Sequence, residues 1–549
     1  MNKTKIFSLL ATSILLTTPS VLAISCQLQE REEVALFVPF KEQGETKSYN
    51  TVKEIINRFN ATLVNDKEYK KNKLVLRNDL NKKDVNNKIN LELQTKDYRA
   101  PSIVLGYPSV VPRIKENNRL VDLSEISKVS GISNYSKNIL DYNNRLGFKN
   151  DGHIYNLPIG IASESLIIND VLLSFYLDAL YKVNKEKNIN NQNIENIKKS
   201  KDLNAFLEKS NQFKDLTKQK EVKIEFDEKT LRSWDLDLSW DIFAHSNYFN
   251  KFSNLIRKSL KNFSIKQGRY TSNIDILYVR HIENYIYGEL FKKAESDFKN
   301  YAINYTADNK FNFDIFKKGT KEYKDFYSTI KDFYSNLKNN VIKVEKLKNY
   351  VPASFETQLF TIATTRLLYD KGAITFFNAN KGKFSIKNVP FKANDKQKNG
   401  SYFIQGLFLS AIKSDIANKN KVVEKFLNWF YDEKNLIEWN FSNHKVKLSP
   451  VEYLALNLVY LYPSNNFEKT YKELKEIQND SNNLVIENIK NQNLVPLTDL
   501  VDYQGKNELI RIFIKKYVND FLLKKAKNKD TNDEKVVKDL IEKIHENIK

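Results

Sequence analysis

The chain of 549 residues has a single cysteine, a single methionine, 14 glycines, 11 prolines and 5 histidines. One thiol excludes an intramolecular disulfide framework and any cysteine-built metal cluster, so the meaning of Cys26 lies in its place in the sequence. The histidines (His153, His245, His281, His444 and His545) are scattered with no pair at helical ligand spacing, and each reads as a surface or loop residue rather than a metal ligand. There is no glycine-rich phosphate loop, no internal repeat and no heptad run. Gly160-Ile161-Ala162-Ser163-Glu164 lacks the second glycine of a nucleophile elbow. Asp235, Asp237 and Asp241, interleaved with Trp234 and Trp240, have the odd spacing of turn and capping residues. With no nucleophile beside a base, no metal cluster and no facing carboxylates, the expectation is no enzyme, no catalytic residue, no metal and no cofactor.

What is present begins at the first residues. Lys3 and Lys5 precede an apolar and hydroxyl-rich run from Ile6 to Ala23, then Ile24-Ser25-Cys26. That order is the pattern of a secretory signal peptide over residues 1–25. Ala23-Ile24-Ser25-Cys26 resembles a lipobox, with alanine where leucine is commonest; it implies a diacylated Cys26 that holds the mature chain to the membrane, residues 26–32 forming a tether. Beyond it no other unbroken apolar run reaches the ~18 residues that cross a bilayer, so the remainder is expected to be soluble and extracellular. The net charge is +21, from 88 basic and 67 acidic residues. Basic residues alternate with acids, as in Lys67-Glu68-Tyr69-Lys70-Lys71, which reads as solvated faces more than as a polyanion site. The length calls for more than one lobe.

Val34 to Phe40 is a short apolar run suited to a buried parallel strand. Val52, Ile55, Ile56, Phe59 and Leu63 recur at helical spacing. Lys88 to Leu93 alternates like a second strand, and Ser102 to Tyr107 reads as a third, so the first lobe is α/β. Asn156 to Asp170 reads as a long strand passing from one lobe to the other. Val171 to about Tyr350 reads as mostly helical, with a polar surface loop at Val183 to Lys199. Gly372 to Phe377 and Tyr402 to Ile412 return to strand character. Asn420 to Trp439 is helical, Lys447 to Val451 a turn, and Glu508 to Leu523 and Asp533 to Ile548 close the chain as helices.

The order of these segments resembles the family 1 extracellular solute-binding proteins. The stretches that carry it are Ala100 to Tyr107 with Leu120 to Leu123; Tyr155 to Asp170; Leu368 to Phe376; Phe403 to Ile412 with the helix Val422 to Tyr431; and Asn440 to Tyr453, followed by closing helices after Val495-Pro496. Ser102 stands where that family usually has aspartate. Low glycine and the lipobox resemble the mycoplasma-type surface lipoproteins of the family. The resemblance implies a two-lobed periplasmic-binding-protein-like (type 2) α/β fold with a helix-rich second lobe. Lobe 1 would comprise residues 33–160 plus 403–465. Lobe 2 would comprise 161–402 plus 490–549, with a helical insertion at about 183–350.

A site for a polar solute, a carbohydrate by the resemblance, would use aromatic faces and planar polar groups at strand ends. The resemblance points to Phe40, Lys41, Gly106 and Tyr107 in lobe 1; Ser163 and Glu164 on the crossover; Phe377 and Asn378 after the strand expected at Gly372 to Phe377; Tyr402 and Gln405 on the return crossing; Tyr503 before a terminal helix; and Trp240 as a further candidate. The resemblance further implies a monomer that closes like a hinge and hands its solute to an ABC transporter permease on the outer face of the membrane. The competing reading is a surface adhesin or nucleic-acid binder that keeps the scaffold without a sugar site. A secreted hydrolase would require the carboxylates near Trp240 to face each other across a cleft.

Overall fold

A computed structural model describes residues 33–40, 46–78, 85–97, 99–126, 143, 153–214, 221–308, 310–344, 352–369, 371–441, 444–464, 480–498, 505–528 and 532–549. Apolar runs too short for a helix form the middle of it. β1 (Val34–Phe37) lies between β2 (Leu74–Arg77) and β3 (Ile103–Gly106), parallel to both. The long apolar stretch after Asn156 forms β4 (Leu157–Asn169), buried at every residue. A three-stranded antiparallel sheet follows, of β5 (Glu221–Phe226), β6 (Leu260–Gln267) and β7 (Tyr270–Asn273). Then come β8 (Asp275–Val279), β9 (Ile342–Val344), β10 (Gln358–Thr364), β11 (Phe384–Asn388) and β12 (Gly400–Ala411). The hairpin of β13 (Ile437–Phe441) and β14 (His444–Leu448) precedes β15 (Leu494–Leu497). Among the described residues one mixed sheet of ten strands runs β2-β1-β3-β12-β4-β10-β8-β9, with β11 beside β4 and β15 beside β12.

Two cores flank this sheet. One, including Val34, Leu36, Leu157, Ile161 and Leu409, is covered by the helices Thr46–Thr62, Ala417–Tyr431 and Pro450–Asn457. The second, including Leu166, Ile168, Leu277, Phe360 and Ile362, is covered by the helices Asp170–Glu186, Ser246–Ser259, Ile282–Lys293, Lys321–Lys338, Lys506–Tyr517 and Asp533–Ile548. Phe360 sits among the rings of Phe243, Phe249 and Phe252, 6.2, 5.1 and 6.3 Å away. β4 and β12 are the two strands shared by both halves. The mixed α/β architecture and the helix-rich second half are those the sequence implies.

Local details differ from the sequence reading in five places. Lys88 to Leu93 is part of the helix Val85–Gln94: Ile89 and Leu93, four apart, are its buried face, and Glu92 pairs with Arg77 at 2.7 Å. A run that alternates also places residues at i and i+4, and here the helical spacing is the one that packs. Gly372 to Phe377 belongs to the helix Lys371–Ala379, whose Phe376 and Phe377 pack with Phe355 and Phe384. The strand in that part of the chain is β10, thirteen residues earlier. The described residues of 171–350 hold five strands, β5 to β9, besides their helices. Within 183–199 the asparagines build ordered structure: Asn191 N–H donates to Asn184 Oδ1 at 3.0 Å, and Asn191 Nδ2 donates to the carbonyls of Leu231 and Trp234 at 3.1 and 3.0 Å. Finally, the turn expected at Lys447 to Val451 is the junction of β14 with a helix capped by Ser449 and Glu452.

Candidate functional site

The register of β4 locates a gap between the two halves. Gly106, at the carboxyl end of β3, lies opposite Phe408, and Phe408 lies opposite Pro158. Thr364, at the carboxyl end of β10, lies opposite Glu164. β3 points along β4 and β10 points against it, so the strand ends of the halves face each other. From Pro158 to Glu164 the backbone spans ~20 Å at 3.3 Å per residue. Among the described residues only β12 and a single bridge between Ile161 and Leu461 accompany β4 through that interval. In open α/β sheets ligands bind beyond the carboxyl ends of strands, and here two such edges share one space.

On the first edge Gly106 leads into Tyr107, which is 45 % exposed and stands ready to offer a ring face. Arg113, on the helix that follows, comes close to Gly505 across the gap: a Cβ on that glycine would lie 3.8 Å from Arg113 Nη2. On the opposite edge Arg280 and His281 end β8, and Thr365 and Arg366 end β10. Arg366 reaches back to the first half, donating from Nη1 to the Tyr460 hydroxyl at 3.2 Å with its guanidinium 4.9 Å from the centre of that ring. Thr365 Oγ1 accepts from the backbone N–H of Ser163 at 3.0 Å. Gln405, half-buried on β12, lies across from Ala162 at the back of the gap.

Glu164 is the charged centre of the wall. It is 7 % exposed; its Oε1 accepts from Asn284 Nδ2 at 2.6 Å and lies 3.2 Å from His281 Nδ1. Arg511 Nη2 donates to Asn284 Oδ1 at 2.5 Å, with its guanidinium 5.5 Å from the Phe403 ring and 5.8 Å from Tyr287. Lys515 Nζ pairs with Glu283 Oε1 at 3.3 Å. Burial alone would lower the pKa of His281, but the charge and hydrogen bond of Glu164, with Glu283 adding, outweigh it and raise the imidazole above its ordinary value. Burial pushes Glu283 up, and Lys515 and Arg511 more than reverse this, so its carboxyl lies below its ordinary value.

The pH dependence follows from these directions. The His281 pair stabilises the fold fully below the ordinary histidine value of 6.5 and is lost as pH rises through the elevated value. Glu283 contributes above its ordinary 4.5 and is lost as pH falls through its depressed value. The stability difference between wild type and His281→Gln is therefore expected to be largest between these two ordinary values, and to shrink as pH rises above 6.5. Urea titrations of both proteins across this range check it, and a difference that grows towards alkaline pH contradicts it.

The structure brings Gly106, Tyr107, Glu164 and Gln405 to the gap and gives the other candidates different surroundings. Phe40 is 3 % exposed in the first core. Ser163 is buried, its Oγ 3.4 Å from the Glu164 carbonyl oxygen. Tyr402 is buried on β12, past the point where that strand leaves β4. Phe377 packs in the ring cluster of Phe355, Phe376 and Phe384, and Asn378 is exposed on the same helix; that helix leads to β11, which begins opposite Asn169 at the far end of β4. Trp240 is 43 % exposed and 4.5 Å from Tyr248, in a loop whose Ala244 carbonyl accepts from the N–H groups of Phe391 and Lys392, before the start of β12. Asp237 and Asp241 accept from backbone N–H groups of Ser239 and Ala244, as turn residues do. Cys26, Lys41 and Tyr503 lie outside the described residues.

His281, Asn284, Arg366, Tyr460 and Arg511 escaped sequence reasoning. The signal for His281 was Asp275 to Val279, a short apolar run directly before Arg280 and His281, hidden because its surroundings read as helical. Arg511 lies 227 residues from Asn284, and no local pattern joins them. Among the described residues no three or more His, Cys, Asp or Glu side chains are grouped to hold a metal ion, and no helix is long and apolar enough to cross a membrane.

No family model matches the sequence, and no curated protein matches it. Solved structures do match in fold. A chitin oligosaccharide binding protein superposes with a TM-score of 0.55 at 11% identity, covering 94% of this chain and 99% of its own. The cyclic α-maltosyl-1,6-maltose binding protein of Arthrobacter globiformis gives 0.50 at 11% identity, covering 93% and 99%. A maltose-bound protein of T. maritima gives 0.50 at 10% identity over the same shares. The chain therefore has the two-lobed α/β fold of solute-binding proteins, and these structural neighbours are sugar-binding proteins.

Proposed function

We propose that this protein is an extracellular solute-binding protein that closes its two lobes around a carbohydrate and delivers it to an ABC transporter. The observation that carries the reading is the interval in β4 between Pro158 and Glu164, where strand ends of both halves face one space. Tyr107 offers a ring face on one side, Gln405 a planar amide at the back, and Arg366 a guanidinium on the other side. Sugars need that combination of apolar face and directed hydrogen bonds. Binding of sugars by the structural neighbours supports the same class of ligand. On this reading lobe 1 comprises residues 33–160 plus 403–465 and lobe 2 residues 161–402 plus 490–549, and the protein acts as a monomer without catalysis. The lysine-flanked apolar run and the lipobox-like Ala23 to Cys26 support a surface lipoprotein, of the mycoplasma type by composition, held by acyl chains on Cys26.

A ligand drives closure only if it binds the closed form more tightly than the open one. Calorimetric titration with mono- and oligosaccharides, paired with small-angle scattering, tests this: a bound sugar is expected to shrink the radius of gyration. Tyr107→Ala and Gln405→Ala are each expected to weaken affinity about tenfold, the equivalent of one lost hydrogen bond or stacking contact at ~1.4 kcal/mol. A protein that binds no saccharide, or binds one with neither variant affecting it, overturns the assignment. The net charge of +21 favours a second reading, capture of a polyanion such as nucleic acid. Oligonucleotide binding that falls steeply with salt would support that reading in place of the first.

A further inference from the structure

Among the described residues that edge the gap, the charges are paired or buried with one exception. Glu164 is paired with His281 at 3.2 Å, Glu283 with Lys515 at 3.3 Å, and Arg113 with Glu116 at 3.2 Å. Arg280 is 7 % exposed, its guanidinium 5.7 and 5.3 Å from the ring centres of Tyr278 and Phe355. Arg366 is half-buried, and among the described residues its guanidinium meets no carboxylate. Its partner is Tyr460, through the hydroxyl at 3.2 Å and the ring centre at 4.9 Å. We propose, resting on the reading of the gap as a sugar site, that the solute is a carbohydrate carrying one anionic group, a carboxylate or a phosphate, and that Arg366 binds that group.

Tyr460 fixes where the guanidinium stands. Leu461 bridges Ile161, at the middle of the interval in β4 between Pro158 and Glu164. Tyr460 itself packs on Gly160: a Cβ on that glycine would lie 2.5 Å from Tyr460 Cβ and 3.2 Å from its Cγ. The tyrosine therefore rises from the crossing strand inside the gap, and a side chain at 160 would push it away. Arg366 comes to it from the opposite edge, directly after Thr365, whose Oγ1 accepts from the Ser163 N–H at 3.0 Å. The cation is thus held between the halves, where a bound solute would be.

A guanidinium carries five N–H donors in one plane. Tyr460 takes one of them. The rest form a fork that matches two oxygens of a carboxylate or a phosphate. A neutral hydroxyl accepts such bonds singly, but only an anion also supplies the counter-charge that a partly desolvated cation lacks. One unmatched cation suits one anionic group, whereas a polyanion needs a row of them. The net charge of +21 draws an anionic solute towards the protein from a distance.

The test is calorimetric titration with sugars that share a ring and differ in charge: glucose against glucuronate, galactose against galacturonate, and glucose against glucose 6-phosphate, with inorganic phosphate as a control. At least one anionic sugar is expected to bind tenfold or more tighter than its neutral partner and than inorganic phosphate, and the uronate and phosphate arms tell which group is read. Arg366→Gln is expected to cost the anionic sugar at least tenfold more than the neutral one, and Arg366→Lys, which keeps the charge without the fork, to cost it less than Arg366→Gln. Should Arg366→Gln fail to fold, Tyr460→Phe, which removes the hydroxyl that orients the guanidinium, is expected to reduce the preference for the anionic sugar. Neutral sugars bound as tightly as their anionic partners, inorganic phosphate bound as tightly as the sugar phosphate, or a preference unchanged in all of these variants would overturn the proposal and leave the sugar reading of the gap in place. Absence of binding by any saccharide, charged or neutral, would overturn both.

Discussion

Replacing Glu164 by alanine is expected to destabilise the protein by about 3 kcal/mol, the lower end of the cost of leaving a buried charge without its partner. The side chain is 7 % exposed and gathers groups from two distant segments: His281 and Asn284 from one and, through Asn284, Arg511 from the other. Without the carboxylate the Asn284 amide loses its acceptor and the histidine loses its counter-ion. The estimate stays at the lower end because the His281 side chain is 28 % exposed and can partly rehydrate. Glu164→Gln keeps an acceptor oxygen for Asn284 and is expected to cost about half as much. Urea denaturation of the two variants at pH 6 measures both, and a loss under about 1 kcal/mol for Glu164→Ala would show that the network is not coupled to the fold.

The second large effect is expected at Gly406. A Cβ there would stand 2.4 Å from the carbonyl oxygen of Gly160 and 3.4 Å from the Ile161 Cα, so the obstacle is backbone on the neighbouring crossing strand rather than a side chain that can swing away. Gly406→Val therefore has to force β12 away from β4 at the place where both pass between the lobes. Overpacking of this kind costs about 3 kcal/mol. Because the strain falls on the connection itself, sugar affinity and the ligand-induced change in radius of gyration are expected to fall along with the melting temperature. A Gly406→Val protein that melts and closes like wild type would mean that the two strands separate freely, and would remove the argument that their close contact defines the hinge.

How legible the molecule was depended on distance along the chain. β4 was readable because thirteen consecutive residues without a charged break except Glu164 have nowhere to go but the interior. The helices at the carboxyl end were readable from their apolar stripes, and the α/β class from the alternation of runs. Lys88 to Leu93 and Gly372 to Phe377 were not, because six residues fit both a strand and two turns of helix. Which of these forms depends on what lies against Ile89 or Phe377. Tyr107 could be placed at the gap from strand-end logic and Gln405 from the family resemblance, and strand-end logic failed for Phe40, which the first core covers.

Segment order, the burial of the crossing strands and the position of a carboxylate at Glu164 each follow from side-chain hydropathy over a few consecutive residues. That Glu164 meets His281, Asn284 and, through it, Arg511, that β12 and β11 part beside it, and that Arg366 reaches Tyr460 follows from the packing of the whole chain. Those contacts join residues 94 to 227 positions apart in sequence. Their partners are chosen by which strand ends the shared sheet brings level, and that is a property of the register between strands rather than of any one of them.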